Sequence, residues 1–409
     1  MRFLYSFLIH CYSFAVFLAS FFNPKAKKWH KGRLKVFDYL EQQSAISNHW
    51  IWFHAASLGE FEQGRPVIEA LKKDHPGISV LLTFFSPSGY EIRKNYDFAD
   101  CVAYLPTDTI LHAKRLTKLF RFDAAFFIKY EFWFNYMYIL QKQRIPLYFI
   151  SARLRRNQHF FAWYGGWFRK QLKYVSHFFV QDQGTQDLLE SIGIKNITVT
   201  GDTRFDRVAS LAVTAKRFEN IEAFIGTKKL FIAGSTWPED EKLLVESIKM
   251  LPKDYKIILA PHDVSPSHIT NLQKLIGDNH QLYSDFDPNI ECNILIINSI
   301  GILSQLYQYA RFVYIGGGFG SNIHNIQEPV TFGCPVIIGP KHENFTEAID
   351  LIRLGGAFAV HDKDSMKVKM LQLAKDDKFR ELASDICKKY VAQQIGATAK
   401  ILQTLGGRF

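Results

Sequence analysis

The sequence has few cysteines, and none of them forms a Cys-x-x-Cys pair. The five stand far apart, at positions 11, 101, 292, 334 and 387 of 409. This spacing argues against a zinc site or a disulfide framework and is typical of a reducing compartment. Tandem repeats and low-complexity tracts are also missing. So are a P-loop ending in Gly-Lys-Ser/Thr and an early GxGxxG fingerprint, which argues against the commonest phosphate and dinucleotide motifs.

Acidic residues are outnumbered by basic ones, 39 to 50, and the formal net charge is +11 at pH 7. Such a chain favours anionic partners, which include nucleic acid, anionic lipid and phosphorylated substrates. The hydrophobic share of 47% and the charged share of 22% are those of a globular protein. The length predicts two domains of about 200 residues each.

Charge is nearly absent from residues 3–22, FLYSFLIHCYSFAVFLASFF, where His10 is the one acidic or basic side chain. A helix of this length spans roughly 30 Å, about one bilayer core. Six basic residues follow: Lys25, Lys27, Lys28, Lys31, Arg33 and Lys35. A spanning anchor fits, and its positive flank would keep the rest of the chain in the cytoplasm. A helix lying on the membrane surface fits as well, because Ser, Tyr, His and Cys are interspersed. A cleaved signal peptide is disfavoured, since no convincing small-residue cleavage site follows.

From residue 50, short apolar runs alternate with helical stretches, which predicts parallel sheets covered on both faces. Strands are predicted at 49–55, 78–86, 101–106, 123–130, 146–153, 177–182 and 196–201, and then at 229–235, 255–261, 293–298, 312–318 and 335–340. The pattern therefore predicts two doubly wound halves. The expected boundaries are an anchor helix at 1–24, an N-terminal domain at 25–207, a hinge at 208–228 and a C-terminal domain at 229–409. The last helix is a candidate to pack back on the N-terminal domain.

Ligands of such sheets bind beyond the carboxyl ends of the strands, where several conspicuous turns are expected. GGGFGSNIHNIQEPVTFGCPVIIGP (316–340) combines three glycines with Glu328 at a helix start. Glycines let the backbone approach a phosphate, and a carboxylate can accept both hydroxyls of a ribose. The alternative is a tight β–α turn without a ligand. Ser235 and Thr236 either cap a helix or bind an anion. His262 and Asp263 could form a metal pair, but no further ligands accompany them.

Acids stand at two strand ends in the first half. Glu60 follows Ser57 and Gly59, and it is either a helix-start acid, stabilised by the helix dipole, or a catalytic base. Glu131 stands between aromatic residues and has the same two interpretations. The segment 150–170 mixes arginines with aromatics, which suits either stacked nucleic acid or a phosphorylated lipid beside a membrane anchor. Arg204 adds a charge near the hinge. Each arginine alone is equally consistent with a solvated surface charge.

Eight segments in order match one family: WFHAASLGEFEQGRPVI, SPSGYE, YLPTD, YEFWFN, SARL, TGDTRFD, AGSTWPEDE and GGGFGSNIHNIQEPVTFGCPVIIGPKHENFTEA. They resemble the Kdo transferases of lipopolysaccharide synthesis over residues 50 to 350. The resemblance implies a GT-B fold, two Rossmann-like domains facing each other across a cleft. It implies transfer of 3-deoxy-D-manno-octulosonic acid (Kdo) from CMP-Kdo to a phosphorylated lipid A precursor, at the cytoplasmic face of the inner membrane.

The resemblance also implies roles for particular residues, with inversion at the sugar and neither metal nor cofactor nor nucleic acid. The catalytic residues would be Glu60, as general base, and Glu131. The residues implied for the donor are Ser235, Thr236, His262, Gly316, Gly317, Gly318, Glu328 and Asn344. Those implied for the acceptor or the Kdo carboxylate are Ser57, Gly59, Arg153 and Arg204.

This chain departs from the family pattern at four places. It has Lys129-Tyr130-Glu131 where many members have Glu-Thr-Glu, and Trp133-Phe134 where many have Trp-Pro. It also has Pro261-His262-Asp263 where many have Pro-Arg-His, and Arg204 where Lys is common. These changes bear on the detailed donor contacts. Two other functions are compatible with parts of the pattern. A GT-B-like nucleotide-sugar epimerase would share the glycine and Glu-Pro loops, and a non-catalytic anionic-lipid-binding protein would explain the anchor and the charge.

Overall fold

The computed structural model describes residues 1–407, and the chain separates into two compact units. The first unit comprises Met1–Asp206 and the chain from Gly396 onward, and the second comprises Arg207–Ile395. Each unit contains one sheet of seven parallel strands. The doubly wound α/β class predicted from the alternating pattern is therefore confirmed.

The strands of the first sheet are largely apolar runs of three to seven residues, and all but the half-buried edge strand Ile197–Val199 are mostly buried, as parallel strands covered on both faces are. They are β1 (Trp50–Ala55), β2 (Ser79–Phe84), β3 (Cys101–Tyr104), β4 (Phe122–Ile128), β5 (Leu147–Ala152), β6 (His177–Val180) and β7 (Ile197–Val199). All seven coincide with predicted strands. The sheet order is β3-β2-β1-β4-β5-β6-β7.

The helices of the first unit connect these strands, and three of them precede the sheet. They are α1 (Arg2–Ala19), α2 (Pro24–Leu34), α3 (Val36–Ser44), α4 (Leu58–Asp74), α5 (Pro87–Arg93), α6 (Ile110–Leu119), α7 (Phe134–Lys142), α8 (Gly166–Leu172), α9 (Gln183–Glu190) and α10 (Arg204–Val213), the last of which runs on into the second unit.

The second sheet has the order β10-β11-β9-β8-β12-β13-β14. Its strands are β8 (Lys229–Thr236), β9 (Tyr255–Pro261), β10 (His280–Leu282), β11 (Ile294–Ile296), β12 (Ala310–Ile315), β13 (Val336–Ile338) and β14 (Ala357–Ala359). The two edge strands, β10 and β14, were not predicted. The remaining helices are α11 (Glu219–Ile225), α12 (Pro238–Ile248), α13 (Pro266–Ile276), α14 (Leu303–Leu306), α15 (Gln327–Thr331), α16 (Thr346–Leu354), α17 (Lys363–Lys375), α18 (Asp377–Gln394) and α19 (Ala397–Leu405).

The last helix belongs to the first unit. Ile401 and Leu405 of α19 are buried in the core that also contains Val67 and Leu71 of α4. Asp206 holds the start of α19, since its carboxylate accepts hydrogen bonds from the backbone of Gly396 at 2.6 Å and of Thr398 at 2.7 Å. The chain thus returns to the first unit after it has completed the second.

Each sheet has one point at which the strand order reverses. In the first sheet, β1 lies beside β4, with Phe53 opposite Phe126 and their rings stacked 4.7 Å apart. In the second sheet, β8 lies beside β12. Crevices at the carboxyl ends of such neighbouring strands are the usual ligand sites of doubly wound sheets. The residues after β1, β4, β8 and β12 are therefore the ones to examine.

One helix within residues 1–407, α1, is long and apolar enough to cross a membrane. Its polar side chains nevertheless contact the first unit. The hydroxyl of Tyr5 donates to Asp108 at 2.5 Å, and Asp108 also accepts from the backbone N–H groups of Asn135 and Tyr136, at 3.2 and 2.9 Å. A buried carboxylate thus ties α1 to the start of α7.

The Asp108 carboxyl makes this tie sensitive to pH. Burial raises the pKa of Asp108 to about 6, above its ordinary value of about 3.9. Because the folded-state pKa is the higher one, the group favours folding below pH 4, and this contribution is lost as the pH rises through 6. The loss amounts to about 3 kcal/mol, which is two pKa units at about 1.4 kcal/mol each.

We expect Asp108→Asn to remove this pH dependence. Urea unfolding of the full chain, measured between pH 4 and pH 7, should show a steeper fall in stability with rising pH in the wild type than in the variant. The side-chain amide of the variant cannot accept from all three donors, so its free energy of unfolding will differ from that of the wild type at every pH. The readout is therefore the slope of the free energy of unfolding against pH. Parallel slopes for the two proteins would contradict the prediction.

Candidate active site

Glu60 lies in the first turn of α4, directly beyond the end of β1. Ser57 is the N-cap residue, with an extended backbone, but its hydroxyl does not cap the helix. It donates instead to the Glu60 carboxylate. The first turn of a helix presents free backbone N–H groups and a partial positive charge, which stabilise an anion. Glu60 is 8% exposed, so its carboxylate is held in a defined position yet reaches the surface. A side chain at Gly59 would meet open space, apart from the Ser57 hydroxyl 3.8 Å away.

Glu131 lies beyond the neighbouring strand β4 and is held by a buried network. The indole N–H of Trp133 lies 3.0 Å from the Glu131 carboxylate and 2.8 Å from Nε2 of His54. An indole nitrogen can only donate, so Nε2 of His54 accepts and its proton is on Nδ1. That nitrogen lies 2.9 Å from the Thr83 hydroxyl on β2. The network therefore fixes both the tautomer of His54 and the position of Glu131.

Glu60 and Glu131 lie near the same residue, Tyr130, since both carboxylates raise its pKa. The pKa of Tyr130 is raised by burial, and then by the nearby carboxylates of Glu60 and Glu131. Lys129, the preceding residue, has a backbone φ of 67°, in the left-handed region that non-glycine residues rarely adopt. This turn directs residues 129–131 away from the strand. The two candidate acids thus both lie near Tyr130, beyond the neighbouring strands β1 and β4 of the first sheet.

Basic side chains surround this pair of acids. Burial lowers the pKa of Lys129, whereas the nearby Glu60 carboxylate opposes that effect, and Arg204 and Arg153 lie near enough to lower it further. Arg204 donates to Asp202 with Nε at 2.9 Å and Nη2 at 2.6 Å. Arg153 lies 3.5 Å from Asp182. Each arginine is therefore pre-oriented by its own carboxylate. Within residues 1–407, the Lys129 ammonium has no ion pair within 4 Å and lies 5.0 Å from the Tyr130 ring centroid.

Four residues of this site were not predicted as site residues: His54, Lys129, Tyr130 and Trp133. His54 had a visible signal, since it is the one polar residue in the buried run WIWFHA. Lys129 and Tyr130 were noted only as departures from the family pattern. Their spatial relation to Glu60 depends on strand pairing, which the sequence does not display.

In the second unit, the turn after β8 packs tightly against the turn after β12. Ser235 has a φ of 54°, again in the left-handed region. Thr236 is buried and donates its hydroxyl to Glu241 at 2.9 Å, and the same carboxylate lies 3.0 Å from His268. The Thr236 hydroxyl proton is thus engaged within the protein.

The three glycines after β12 are required by close backbone packing. A Cβ on Gly316 would lie 2.3 Å from the carbonyl oxygen of Ser235, and one on Gly318 would lie 2.7 Å from the backbone of Gly339. Gly317 has a φ of 92°, and its N–H donates to Asp240 at 2.8 Å. The glycines therefore bring the ends of three neighbouring strands together at the switch point of the second sheet.

A stack of three rings adjoins these turns. The rings of His262 and His324 lie 4.3 Å apart and nearly parallel, and Trp237 stacks on His262 at 4.7 Å. The Trp237 indole donates to Nε2 of His324 at 2.8 Å. Burial, followed by the nearby His262, lowers the pKa of His324 to about 4, so this ring is neutral near pH 7. His262, the ring nearest to both of the others, remains exposed.

The remaining candidate residues of the second unit are less closely grouped. Asp263 does not join His262 in a metal pair, since its carboxylate accepts from the backbone and hydroxyl of Ser265 at the start of α13. Glu328 is half-buried in α15, near the fully buried Tyr307, whose pKa is raised by burial and then by Glu328. Asn344 is exposed and donates to Asn322 at 3.3 Å.

Solved structures share this architecture over almost the whole chain. The UDP-GlcNAc 2-epimerase of Neisseria meningitidis has a TM-score of 0.62 and 19% identity, over 87% of this chain and 99% of that one. MurG of Acinetobacter baumannii has a TM-score of 0.55 and 13% identity, over 88% and 99%. At such identities these likenesses show the fold alone. They place the protein in the GT-B class, as the resemblance of its motifs predicted.

Comparisons of sequence identify the family within that class. Residues 28–207 match the family model of 3-deoxy-D-manno-octulosonic-acid transferase (kdotransferase). The 3-deoxy-D-manno-octulosonic acid transferase of Aquifex aeolicus is 26% identical over 79% of this chain and 85% of its own. The enzyme of that name from Haemophilus influenzae is 22% identical over 99% and 98%. Together these matches, which cover most of the chain, support a Kdo transferase, and thus a glycosyltransferase.

Proposed function

We propose that the protein transfers Kdo from CMP-Kdo to a phosphorylated lipid A precursor, with Glu60 as the general base. The observation that supports this most is that Glu60 and Glu131 both lie near Tyr130, beyond the switch-point strands of the first sheet, with basic side chains nearby. Acids and cations at one strand-end crevice suit an acceptor that must lose a proton and that carries phosphate.

In the proposed reaction, the Glu60 carboxylate accepts the proton of an acceptor hydroxyl. The oxygen then forms a bond to the anomeric carbon of Kdo, and the bond from that carbon to the phosphate of CMP breaks. CMP leaves with the electron pair, and direct displacement inverts the anomeric centre. Ser57 and Tyr130 orient the base, while Arg153, Arg204 and Lys129 bind the anionic groups of the acceptor or of Kdo.

The donor is proposed to bind the second unit at its own switch point. Glu328 would accept the ribose hydroxyls, and Asn344 and the strand-end glycines would contact the nucleotide. The start of α12, with Ser235 beside it, would stabilise the negative charge on the departing phosphate. His262 supplies an exposed ring edge there. A monophosphate is a less demanding leaving group than a diphosphate, so these groups are proposed to suffice without a metal.

The site of action is proposed to be the cytoplasmic face of the inner membrane, with the N-terminal segment as anchor. The acceptor is a lipid, and α1 offers the apolar surface needed to meet it. The exposed lysines that follow α1 would face anionic headgroups.

One experiment tests the chemistry. The full chain is incubated with CMP-Kdo and a tetraacylated lipid A precursor in mixed micelles. The molecular mass of the lipid is then measured by mass spectrometry. We expect a lipid heavier by a whole number of Kdo residues, and that number counts the units added. Release of CMP without a heavier lipid would contradict the proposed acceptor.

A nucleotide-sugar epimerase is the alternative that the fold leaves open. Its decisive test is turnover of UDP-GlcNAc in the absence of any lipid, followed by NMR of the sugar. We expect none, because the sequence relatives are transferases whereas the epimerases share only the fold. A lipid-binding protein without activity would leave both the lipid and the nucleotide sugar unchanged in the two assays.

A further inference from the structure

The helix α1 has two distinct faces along its whole length. Its half-buried residues are at positions 2, 5, 6, 9, 13, 16 and 20, the spacing of one helical face. The opposite face carries large apolar side chains that are exposed: Phe3, Leu4, Phe7, Leu8, Phe14, Phe17 and Leu18. Two more exposed rings, Phe21 and Phe22, directly follow the helix. Phe3 is 87% exposed and Phe22 is 91% exposed. An apolar surface of this kind on a soluble unit marks an interaction site.

Contacts at positions 2 and 12 of α1 hold its other face against the rest of the first unit. Near the start, the Arg2 guanidinium donates to the Gln171 side chain at 2.7 Å and to the Phe134 carbonyl at 3.1 Å. Further along, the Tyr12 ring lies 5.9 Å from that of Trp29 and 6.2 Å from that of Phe85. A helix that spanned a bilayer could contact the unit at one end only. These contacts therefore require α1 to lie along the surface of the unit.

Positive charge adjoins the exposed apolar face. Residues 1–37 contain seven Lys or Arg and no Asp or Glu. The exposed lysines follow α1 in the chain: Lys25, Lys27, Lys28, Lys31 and Lys35. A second copy of the same face would be repelled by this charge, whereas an anionic lipid surface would be attracted. Charge complementarity therefore selects lipid as the occupant.

We propose that α1 lies in the plane of the membrane interface, with its exposed apolar face among the acyl chains and the lysines of α2 on anionic headgroups. The helix stays docked on the first unit in this state. The inference rests on the proposed membrane attachment but not on the proposed chemistry. It excludes a spanning helix, one of the two arrangements that the sequence left open.

The docked helix also brings the candidate acids close to the membrane. Phe85 contacts α1 through Tyr12, and its ring centroid lies 4.8 Å from that of Trp133. Trp133 in turn donates to Glu131. Phe85 and Trp133 are thus the two side chains between Tyr12 of α1 and Glu131. At this short distance from the helix, a lipid headgroup can reach the site while its acyl chains remain in the bilayer.

The depth of three positions on the exposed face tests the proposal. Cys11 is exposed on α1, whereas the other four cysteines are buried, so a fluorophore can be attached to Cys11 of the full chain. Leu4→Cys and Leu18→Cys, each combined with Cys11→Ser, place the probe near the two ends of the same face. The proteins are bound to phosphatidylethanolamine–phosphatidylglycerol vesicles whose acyl chains carry bromine at known depths.

We expect quenching to report the same shallow depth at positions 4, 11 and 18. A deep position 11 between shallow positions 4 and 18 would show a spanning helix and overturn the proposal. Unquenched probes would overturn it too, whether the chain stays free or self-associates. Ser13→Cys with Cys11→Ser is the matched control on the docked face, and its probe should be quenched much less.

A charge reversal tests the lipid partner without a label. Lys28→Glu should weaken sedimentation with the anionic vesicles and leave the weak binding to pure phosphatidylcholine unchanged. The control is Lys253→Glu, an exposed lysine of the second unit, which should change neither. Equal losses in both variants would contradict the proposal. If the three depths are equal but no Kdo is transferred, only the proposed chemistry is refuted. If position 11 lies deep between shallow positions 4 and 18 and Kdo is transferred, only this inference is refuted.

Discussion

Replacing Glu60 with glutamine is expected to lower the rate of Kdo transfer by roughly 10²–10⁴-fold, the usual contribution of a positioned general base. Glutamine keeps the shape of the side chain and can still accept the hydrogen bond from Ser57, but it cannot take up a proton. The measurement is the initial rate of lipid product from CMP-Kdo at saturating donor and acceptor. The loss should appear in kcat, because the substituted atom acts in the transition state.

The control for Glu60→Gln is a second acid on the same helix. Glu62 is paired with Arg93 at 2.7 Å, so Glu62→Gln removes a carboxylate of α4 that has a structural partner. We expect this variant to transfer Kdo at nearly the wild-type rate. Near-normal transfer by Glu60→Gln would refute the assignment of the base. An equal loss in both variants would instead indicate a damaged helix.

Replacing Gly318 with alanine is expected to destabilise the second unit by about 1–3 kcal/mol, the usual cost of inserting a methyl group into a packed site. The new Cβ would lie 2.7 Å from Cα and N of Gly339. Both contacts are backbone, so no side chain can rotate away to make room. The strand ends must move apart, and the hydrogen bond from Lys341 N–H to the Gly318 carbonyl, 3.1 Å long, must stretch with them.

The same change should weaken donor binding if the turn after β12 holds CMP-Kdo. The affinity for CMP, measured by calorimetry below the unfolding temperature, is expected to fall together with the melting temperature. Gly320→Ala is the matched control, because its Cβ would find no atom nearer than 3.6 Å. That variant should stay within about 0.5 kcal/mol of the wild type. An unchanged melting temperature in Gly318→Ala would contradict the packing argument.

The inner strands of the first sheet were predictable because they are largely apolar runs, and the edge strand β7 because its three residues are strong strand formers. A strand buried on both faces must be apolar at successive positions, and Trp50–Ala55 is buried throughout. The missed strands, His280–Leu282 and Ala357–Ala359, have three residues each and form the edges of the second sheet. A short edge strand is partly exposed, so its sequence carries little apolar signal.

The candidate site was predictable in its parts but not in its assembly. Glu60 and Glu131 each follow an apolar run, which indicated strand ends. Their neighbours along the chain did not reveal that Tyr130 would approach Glu60, or that Trp133 would join His54 to Glu131. Those contacts exist because β1 pairs with β4, a pairing across some seventy residues of sequence. The functional assignment of these residues stays a prediction.

The sequence by itself determined the fold class, the family and the presence of an apolar N-terminal helix, because periodic burial and local turns leave their pattern in consecutive residues. Only the tertiary structure decided which strand ends lie side by side, and hence which acids share a site. It also decided how α1 packs against the rest of the first unit. The hydropathy of the sequence shows only how apolar this helix is. What its few polar side chains contact depends on partners such as Asp108 and Gln171, more than a hundred residues away along the chain.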